Sequence, residues 1–462
     1  MMFRTTAGAA ALVTIASLGL AATPAAAKAP PPPAQCAASS TVKETLPNGT
    51  TWQLCWRMEA QAGLVLEKVF VSSKRYPQPM QVLDSIRLAQ LNVPYDSGDT
   101  EYNDITDYGF GGGFLKTLAG EDCKGGSARE GFDGGAEPQR RKVLCVSAEA
   151  TGLAYRLNDY EGEQEKTYSK QGHDLVLRTV AKVGWYEYVT EYRLHDDGQI
   201  SARLGATGDL SPGNYVKSDQ GWPIGKGARD FSEMHYHSAF WRVDMNIDGK
   251  GGEKVEQFDT KLDGRGSMTA KLKTTKTAIA KEGSFSKVNR RWWRLVSPTS
   301  KNKDGHLRSY ELATGVDDRY EAHPETTPDV TFTENNACEK YATGNNDPQC
   351  ATKKTILDFA KDKQNLKNPV MWVRVGFHHV PRDEDQSPMP LHWQGFDLVP
   401  RDFTEMNPLT PDARGGVNGE PGGGQPGGGE PSGEPSGAPS PSAPSPSAPS
   451  SSGRPSGGPS GA

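Results

Sequence analysis

The chain has 462 residues and a formal net charge of −5, from 52 lysines and arginines against 57 aspartates and glutamates. A charge this mild, with no basic block and no basic patch interleaved with aromatic residues, gives no indication of a nucleic-acid partner. After the N-terminal segment no stretch is apolar enough for a transmembrane helix, so no membrane span is predicted.

The N-terminus has the pattern of a secretory signal peptide over residues 1–27. Arg4 precedes an apolar run over residues 8–22, and the small residues Ala25–Ala27 follow as a cleavage site. The alternative is an N-terminal membrane anchor, which is disfavoured because the run is too short to span a bilayer. We therefore expect a secreted, extracellular protein.

The six cysteines are an even number, and export to an oxidising compartment favours disulfide bonds. Sequence alone does not fix their pairing. Metal binding by these cysteines is the less favoured alternative, because no Cys-x-x-Cys pair occurs. Pairing each cysteine with its neighbour predicts three bonds, Cys36–Cys55, Cys123–Cys145 and Cys338–Cys350.

The pattern of short apolar runs predicts a mainly β fold over residues 28–412, a large antiparallel β-sandwich with few helices. β-Branched or aromatic runs bounded by Gly, Asp or Asn turns predict its strands. They are Thr51–Trp56, Leu64–Val71, Val143–Ser147, Leu175–Val183, Tyr186–Leu194, Gln199–Leu204 and Met371–Phe377. Helical periodicity is scarce, and Thr355–Lys363 is the clearest helix candidate. Residues 413–462 are rich in Gly, Pro and Ser and predict a disordered tail.

Two histidines flank one tyrosine in His235-Tyr236-His237. Side chains alternate along a strand, so both imidazoles are expected on one face, which suits a transition metal such as copper or zinc. A third ligand candidate lies in the segment Phe377–Arg382. Tyr186 precedes His235 by enough residues for a strand hairpin to return it to the metal.

Three separated segments together resemble the signatures of the copper amine oxidases, the topaquinone-containing primary-amine oxidases. They are Trp185-Tyr186-Glu187-Tyr188, His235-x-His237 and His379-x-Pro381-Arg382-x-Glu384-Asp385, in family order within a similarity over residues 80–410. The resemblance implies the family's catalytic β-sandwich alone, with copper(II) held by His235, His237 and His379 and topaquinone made from Tyr186. It also supports the Cys123–Cys145 pair, which resembles a disulfide of the family.

The segment over residues 93–111 resembles the family stretch that carries the catalytic base. The resemblance makes Asp104 that base, Tyr95 the tyrosine that hydrogen-bonds the quinone, and Tyr102 the aromatic gate of the substrate channel. Without the resemblance, Asp104 is interpreted as a turn aspartate in a Gly-rich loop.

The pair His378-His379 offers two candidates for the third metal ligand, and only His379 precedes the x-Pro-Arg context. The remaining histidines lack such a context. Surface or structural positions are expected for His173, His195, His306, His323 and His392.

The implied activity is oxidative deamination of a small primary amine by dioxygen, giving an aldehyde, ammonia and hydrogen peroxide. Trp185 stands where the family has the Asn that adjoins the cofactor. Alternation along a strand places the Trp185 side chain on the face opposite Tyr186, so we expect it to disturb support of the ring more than access to copper. The alternatives are a catalytically inactive copper-binding domain and an extracellular interaction domain of the same fold.

Two further features of the family have weaker counterparts in the chain. Trp241–Gly249 resembles a peripheral calcium-binding strand, but Asn246 and Asn368 stand in place of acidic residues. Calcium prefers several charged oxygens, so a polar strand end is favoured. The family forms homodimers through long hairpin arms, and residues 249–284 are the candidate arm.

Overall fold

The computed structural model describes residues 36–411, except residues 99, 162–163, 212–218, 227–229, 289, 316 and 345–353. The signal peptide predicted over residues 1–27 and the tail predicted over 413–462 lie outside the described residues and stay predictions. In the described part of the chain, none of the helices has the length and apolar character needed to cross a membrane.

Strands form most of the described chain. In chain order they are β1 (Thr41–Thr45), β2 (Thr51–Glu59), β3 (Gly63–Ser72), β4 (Met80–Pro94), β5 (Glu101–Asn103), β6 (Ser127–Phe132), β7 (Arg140–Glu161), β8 (Gln164–Val183), β9 (Tyr186–His195), β10 (Ile200–Gly208), β11 (Gly221–Ile224), β12 (Asp230–Glu233), β13 (His235–Met245), β14 (Lys254–Arg265), β15 (Ala270–Ile279), β16 (Gly283–Phe285), β17 (Trp292–Lys301), β18 (Leu307–Thr314), β19 (Val330–Glu334), β20 (Pro369–His379) and β21 (Met389–Arg401). The α-helices are single turns, α1 (Asp104–Asp107) and α2 (Ile356–Phe359).

The strands form two large antiparallel sheets. The first has the order β1-β2-β3-β4-β13-β20-β19-β16, with β5 paired to β4. The second has the order β15-β14-β17-β18-β21-β10-β9-β8-β7-β6, and β11 and β12 form a separate pair. Each predicted strand overlaps an observed one. The predicted helix is found as α2, followed by a 3-10 turn over Ala360–Asp362.

The two sheets pack face to face and bury one hydrophobic core between them. Trp241 of β13 lies edge-on against Tyr192 of β9 and Phe396 of β21, with ring centroids 5.6 and 6.0 Å apart. The Tyr192 hydroxyl donates across the core to the backbone oxygen of Ile86 in β4, at 3.2 Å. The predicted antiparallel β-sandwich is confirmed.

Two tight hairpins flank β9 and fix its register. The turn between β8 and β9 has only two residues, Gly184 and Trp185, because Val183 pairs directly with Tyr186. Gly184 has φ 60°, a conformation that glycine adopts without steric cost. At the other end, the predicted hairpin around Asp197-Gly198 is present, with the Gly198 amide donating to the oxygen of His195.

The strands β14 and β15 form a long hairpin within the candidate arm, residues 249–284. Most side chains of its outer half are exposed, including Leu262 at 70%. The hairpin itself is therefore present, and its use in a homodimer stays a prediction.

Two of the three predicted disulfides, Cys36–Cys55 and Cys123–Cys145, are confirmed. The first ties the N-terminal segment to β2, and the second ties the loop before β6 to β7. The third predicted bond, Cys338–Cys350, involves a cysteine that lies outside the described residues. It stays a prediction.

Candidate metal centre and active site

Antiparallel pairing of β13 with β20 brings three histidines together in the first sheet. His235 lies directly opposite His379, and His237 lies two residues further along β13 on the same face. All three side chains are buried, with exposures of 1%, 0% and 3% for His235, His237 and His379. Each offers a ring nitrogen, and these atoms all lie within 4.8 Å of one another.

Tyr186, the first residue of β9, reaches this cluster from the second sheet. Its hydroxyl lies 2.8 Å from His235 Nε2 and 3.2 Å from His379 Nδ1. The two histidine nitrogens are themselves 3.3 Å apart. The Tyr186 ring is also tilted against His237, with centroids 5.3 Å apart. The structure therefore places Tyr186 and all three predicted ligands in one cluster.

The chemistry of the cluster fits a transition metal. Neither ring nitrogen of His237 has a hydrogen-bond partner among the described residues, although the side chain is fully buried. Buried polar groups seldom stay unsatisfied, so a ring nitrogen of His237 fits the role of a metal ligand. Burial lowers the pKa of His235 to about 3, and it also lowers the pKa of His237 and His379. All three imidazoles are thus neutral, the form that binds copper or zinc.

Polar groups behind the histidines hold two of the rings. His235 Nδ1 lies 3.0 Å from the backbone oxygen of Glu233, and His379 Nε2 lies 3.1 Å from Asp385 Oδ2. Asp385 is fully buried and also pairs with His392, whose Nε2 lies 2.9 Å from Oδ1. Although burial opposes it, these two histidines keep the pKa of Asp385 well below its usual value.

His392 is the histidine whose position sequence reasoning missed. The sequence predicts a surface or structural position for His392, and the structure places its half-buried ring 4.8 Å from that of His379. No local pattern marks it, because its position depends on the pairing of β21. Asp385, in contrast, stands inside the recognised His-x-Pro-Arg-x-Glu-Asp segment and could have been proposed from the sequence.

His378 lies outside the cluster, on the other face of β20. Its Nε2 lies 3.0 Å from Asp96 Oδ2, and its ring stacks on Tyr236 at 4.3 Å. Strand alternation thus separates the two candidates for the third ligand, and His379 is the one beside His235.

A cavity of about 240 Å³ opens beside Tyr186. Most of the residues that line it are aromatic, and one carries a buried carboxyl group. They are Val93, Tyr95, Tyr102, Asp104, Tyr108, Val183, Gly184, Trp185, Tyr186, Tyr188 and Ser211. The Tyr95 ring packs on His235 at 4.8 Å and lies edge-on to Tyr102 at 6.2 Å. Tyr108 follows at 6.3 Å from Tyr102 and is 45% exposed, so tyrosines continue from the metal cluster to the solvent.

Asp104 begins helix α1 at the wall of this cavity and is 5% exposed. Burial raises the pKa of Asp104 to about 7, although a hydrogen bond with Tyr188 acts in the opposite direction. A buried carboxyl group with a pKa near neutrality is suited to general-base chemistry. Tyr188 belongs to the segment that resembles the family signature, but no role was predicted for it, although strand alternation places it on the same face as Tyr186.

Tyr188 links the carboxyl group to the metal cluster. Its ring stacks between Tyr186, at 5.8 Å, and Phe110, at 5.0 Å. It also contacts His237, with centroids 6.2 Å apart. Tyr188 is fully buried, so its hydrogen bond to Asp104 fixes the carboxyl group against a packed wall.

The predicted position of Trp185 was wrong. Trp185 is not a strand residue, so alternation with Tyr186 does not apply. It is the second residue of the turn between β8 and β9, its side chain is 49% exposed, and it lines the same cavity as Tyr186. The predicted strands already end at Val183 and begin again at Tyr186, so the expectation for Trp185 was wrong because it extended strand alternation into the turn.

The polar side chains of the candidate calcium-binding strand form hydrogen bonds and ion pairs with other groups of the protein. Asn246 Oδ1 accepts from the Gly251 amide at 2.9 Å, and Asp248 pairs with Lys250 at 3.1 Å. Asp244 is buried at the end of β13, where burial raises its pKa to about 6. These contacts describe a polar strand end.

The fold and the site define an antiparallel β-sandwich protein with a candidate metal centre of three histidines and an adjoining tyrosine. The chain belongs to the copper amine oxidase family: the model of that family's enzyme domain matches residues 42–414. It is 28% identical over 397 residues to the peroxisomal copper-containing amine oxidase alpha 2 of Arabidopsis thaliana, covering 78% of this chain and 58% of the relative. It is 25% identical over 408 residues to the primary amine oxidase of Arthrobacter sp. (strain P1), covering 80% and 61%.

Solved structures show the same fold. A copper-containing benzylamine oxidase from Hansenula polymorpha matches with a TM-score of 0.67 and 22% identity, covering 78% of this chain and 60% of that one. An amine oxidase from Aspergillus nidulans matches with a TM-score of 0.64 and 20% identity, covering 78% and 52%. The chain thus spans between 52% and 61% of the length of these relatives.

Proposed function

We propose that the protein is a copper- and topaquinone-dependent oxidase of primary amines. The observation that carries the proposal is the contact of the Tyr186 hydroxyl with His235 and His379, beside a cavity that contains the buried carboxyl group of Asp104. The net reaction consumes one amine, one dioxygen and one water, and it releases an aldehyde, ammonia and hydrogen peroxide.

Copper(II) is proposed to be held by His235, His237 and His379, because their buried ring nitrogens converge and those of His237 have no hydrogen-bond partner among the described residues. Tyr186 is the proposed precursor of topaquinone. Copper with dioxygen would supply the redox chemistry for conversion of the tyrosine, and the resulting quinone would supply that for amine oxidation.

Asp104 is the proposed general base, which takes a proton from the Cα atom of the bound amine. Its burial supports this role, because a carboxylate with a pKa near neutrality is a stronger base than an ordinary one. The hydrogen bond from Tyr188 would hold the carboxylate in place. Asp104 and Tyr186 line the same cavity, so an amine bound there could contact both side chains.

The tyrosines of the cavity are proposed to position the ring and admit the substrate. Tyr95, packed on His235, would hydrogen-bond the quinone, and Tyr102 would be the gate between Tyr95 and the exposed Tyr108. A cavity of about 240 Å³ suits a small primary amine.

Secretion and a homodimer are also proposed. The two disulfides support an oxidising compartment, and the exposed β14–β15 hairpin supports an intersubunit arm. Trp185 lines the cavity beside Tyr186, and this favours a second candidate function, a copper-binding domain without oxidase activity.

One experiment separates the two functions. The metal-free protein is loaded with copper in air, and its visible spectrum, the mass of its Tyr186 peptide and its hydrogen peroxide release with a small primary amine are measured. The oxidase predicts a coloured protein, a modified Tyr186 and amine-dependent peroxide. A protein that binds copper yet stays colourless, with Tyr186 unmodified, would be the inactive copper-binding domain instead.

A further inference from the structure

A row of four polar side chains crosses the second sheet at the end of β9 that lies away from Tyr186. The row consists of Asp174 in β8, His195 in β9, Ser201 in β10 and Asp397 in β21, and these strands are neighbours in the order β21-β10-β9-β8. Asp174 lies directly opposite His195, and Ser201 lies directly opposite Asp397. Alternation along the strands places all four side chains on the face that points away from the hydrophobic core.

The contacts along this row are short. His195 Nδ1 lies 2.8 Å from Asp174 Oδ1, and His195 Nε2 lies 2.7 Å from Ser201 Oγ. The Ser201 hydroxyl donates in turn to Asp397 Oδ1 at 2.5 Å. Asp174 and Ser201 are buried, and the other two side chains are half-buried. The contacts are therefore screened less by water and salt than those of an exposed ion pair.

This arrangement requires a proton on both ring nitrogens of His195. A carboxylate has only lone pairs to offer, so Nδ1 carries a proton where it faces Asp174. A serine hydroxyl has a single proton, and that of Ser201 is directed at Asp397, so Oγ accepts from Nε2. The row thus holds an imidazolium. A neutral ring would place one nitrogen lone pair against an oxygen lone pair, and one of the two contacts would be lost.

Asp174, His195 and Ser201 have the order of the acid, base and nucleophile of a serine hydrolase. The fourth member changes what they can do, because the Ser201 proton goes to Asp397 rather than to His195. A carboxylate 2.5 Å from Oγ would also repel the negative charge that develops during acyl transfer. The row is therefore suited to holding a charge rather than to nucleophilic catalysis.

The charges around His195 favour the imidazolium. Carboxylates face it from β8 (Asp174), from β21 (Asp397) and from the turn after β9 (Asp197). On its own strand, Arg193 lies 3.0 Å from the other oxygen of Asp174, and this arginine is shared with two glutamates. Although burial opposes it, the carboxylates, Asp174 above all, hold the pKa of His195 above its usual value.

We propose that His195 is a pH-sensitive latch across four strands of the second sheet. When charged, it joins Asp174 of β8 to the hydroxyl and carboxylate of β10 and β21, and when neutral it releases one side. Because the pKa is higher in the folded protein, the latch contributes its full stability below the unfolded pKa. That contribution is lost as pH rises through the folded pKa. The inference does not depend on copper or on the proposed oxidase activity.

The test compares the full chain with three variants. His195→Gln removes the charge, and Ser201→Ala removes the connection to Asp397. His323→Gln is the matched control, because His323 pairs with Glu101 at 2.7 Å but at the surface. Thermal unfolding is measured from mildly acidic to alkaline pH. Nuclear magnetic resonance of the histidine side chains gives the pKa of His195, whose signal is the one missing in His195→Gln.

At acidic pH, His195→Gln should unfold about 2 °C below the wild-type protein, and the gap should narrow as pH rises through the pKa of His195. Ser201→Ala should lower that pKa, because it removes the acceptor of the Nε2 proton. His323→Gln should follow the wild-type protein at every pH, since exposed ion pairs contribute little. If His195→Gln fails to fold, the histidine signal that moves in Ser201→Ala identifies His195, and its titration tests the latch.

Three results would overturn the inference. A gap between the wild-type protein and His195→Gln that stays constant or widens with pH would make the ring structural only. A pKa of His195 that is unchanged in Ser201→Ala would show that the charge is not shared with β10 and β21. Covalent labelling of Ser201 by a fluorophosphonate would identify a nucleophile in place of a latch.

Discussion

The Tyr186 hydroxyl lies 2.8 Å from Nε2 of His235, although the two residues belong to different sheets. The candidate metal centre is therefore assembled by the packing of the sandwich itself. Tyr186 starts β9 directly after a two-residue turn, and His235 starts β13 beside the bridge to Tyr95. Any change that shifts one sheet over the other would separate the tyrosine from the metal ligands.

The arrangement of the histidines predicts one copper per chain. His379→Ala should abolish copper binding, because it removes one of three converging nitrogens. His378→Ala should leave most of it, because His378 pairs with Asp96 on the other face of β20. Metal analysis of the two purified variants checks this, and the reverse pattern would show that the ligand assignment is wrong.

Tyr186→Phe should keep copper and lose the quinone. The substitution removes only the hydroxyl, so the three histidines remain in place. We expect near one equivalent of copper in the variant and no coloured adduct with phenylhydrazine, whereas the copper-loaded wild-type protein gives an intense one. An equal adduct in both proteins would exclude Tyr186 as the precursor.

Asp104→Asn should keep the phenylhydrazine colour and lose amine oxidation. Removing a general base typically costs about 10²–10⁴-fold in rate. Tyr188→Phe is a milder comparison, because it removes only the hydrogen bond to the Asp104 carboxyl group. A variant Asp104→Asn that oxidises amines at the native rate would contradict the assignment of the base.

The pH dependence of proton abstraction by Asp104 follows from the burial of its carboxyl group. The pKa of Asp104 is raised to about 7, so the carboxylate that accepts the proton is populated above this pH and lost below it. We expect kcat/KM to fall as pH decreases through about 7 in wild-type protein, after correction for ionisation of the amine. Burial opposes ionisation, so the carboxyl group contributes less stability as pH rises. At pH values above 7, the unfolding temperature of Asp104→Asn should therefore be no lower than that of the wild-type protein. Thermal unfolding measures this.

The sequence predicted the sheet class and the main contacts of the site because both depend on local alternation and on motifs. His235 and His237 share a face by strand periodicity, and the segment after His379 marks it as their partner. His392 could not be found in this way, because it reaches Asp385 only through the place of β21 in the other sheet. The position of the Trp185 side chain was missed because strand alternation was applied to a residue that precedes the predicted start of the strand at Tyr186.

The disulfide framework predicts a large effect on stability. Replacing Cys123 and Cys145 together with serine should lower the free energy of unfolding by about 2–4 kcal/mol, because the bond joins residues 22 positions apart and restricts the unfolded chain. Denaturant unfolding under oxidising conditions measures this loss. Peptide mapping without reduction should also link Cys338 to Cys350, and a link from Cys55 to Cys123 would refute the framework.

The last prediction concerns Trp185, which lines the cavity beside Tyr186 from the β8–β9 turn. An indole at this position occupies space beside the Tyr186 ring. That ring must first be converted to topaquinone and must then react with the amine. We expect Trp185→Asn to speed topaquinone formation and amine turnover by about tenfold, since small changes in the placement of reacting groups have large effects on rate.

The matched control is Trp222→Asn, because Trp222 is similarly exposed, at 51%, but does not line the cavity. The rate of colour formation after copper loading and the rate of peroxide release are compared in the three proteins. Faster rates in Trp185→Asn alone would show that the indole hinders the site. Unchanged rates in Trp185→Asn, with native copper content, would show that the turn accommodates the indole without cost and that Trp185 does not limit the oxidase.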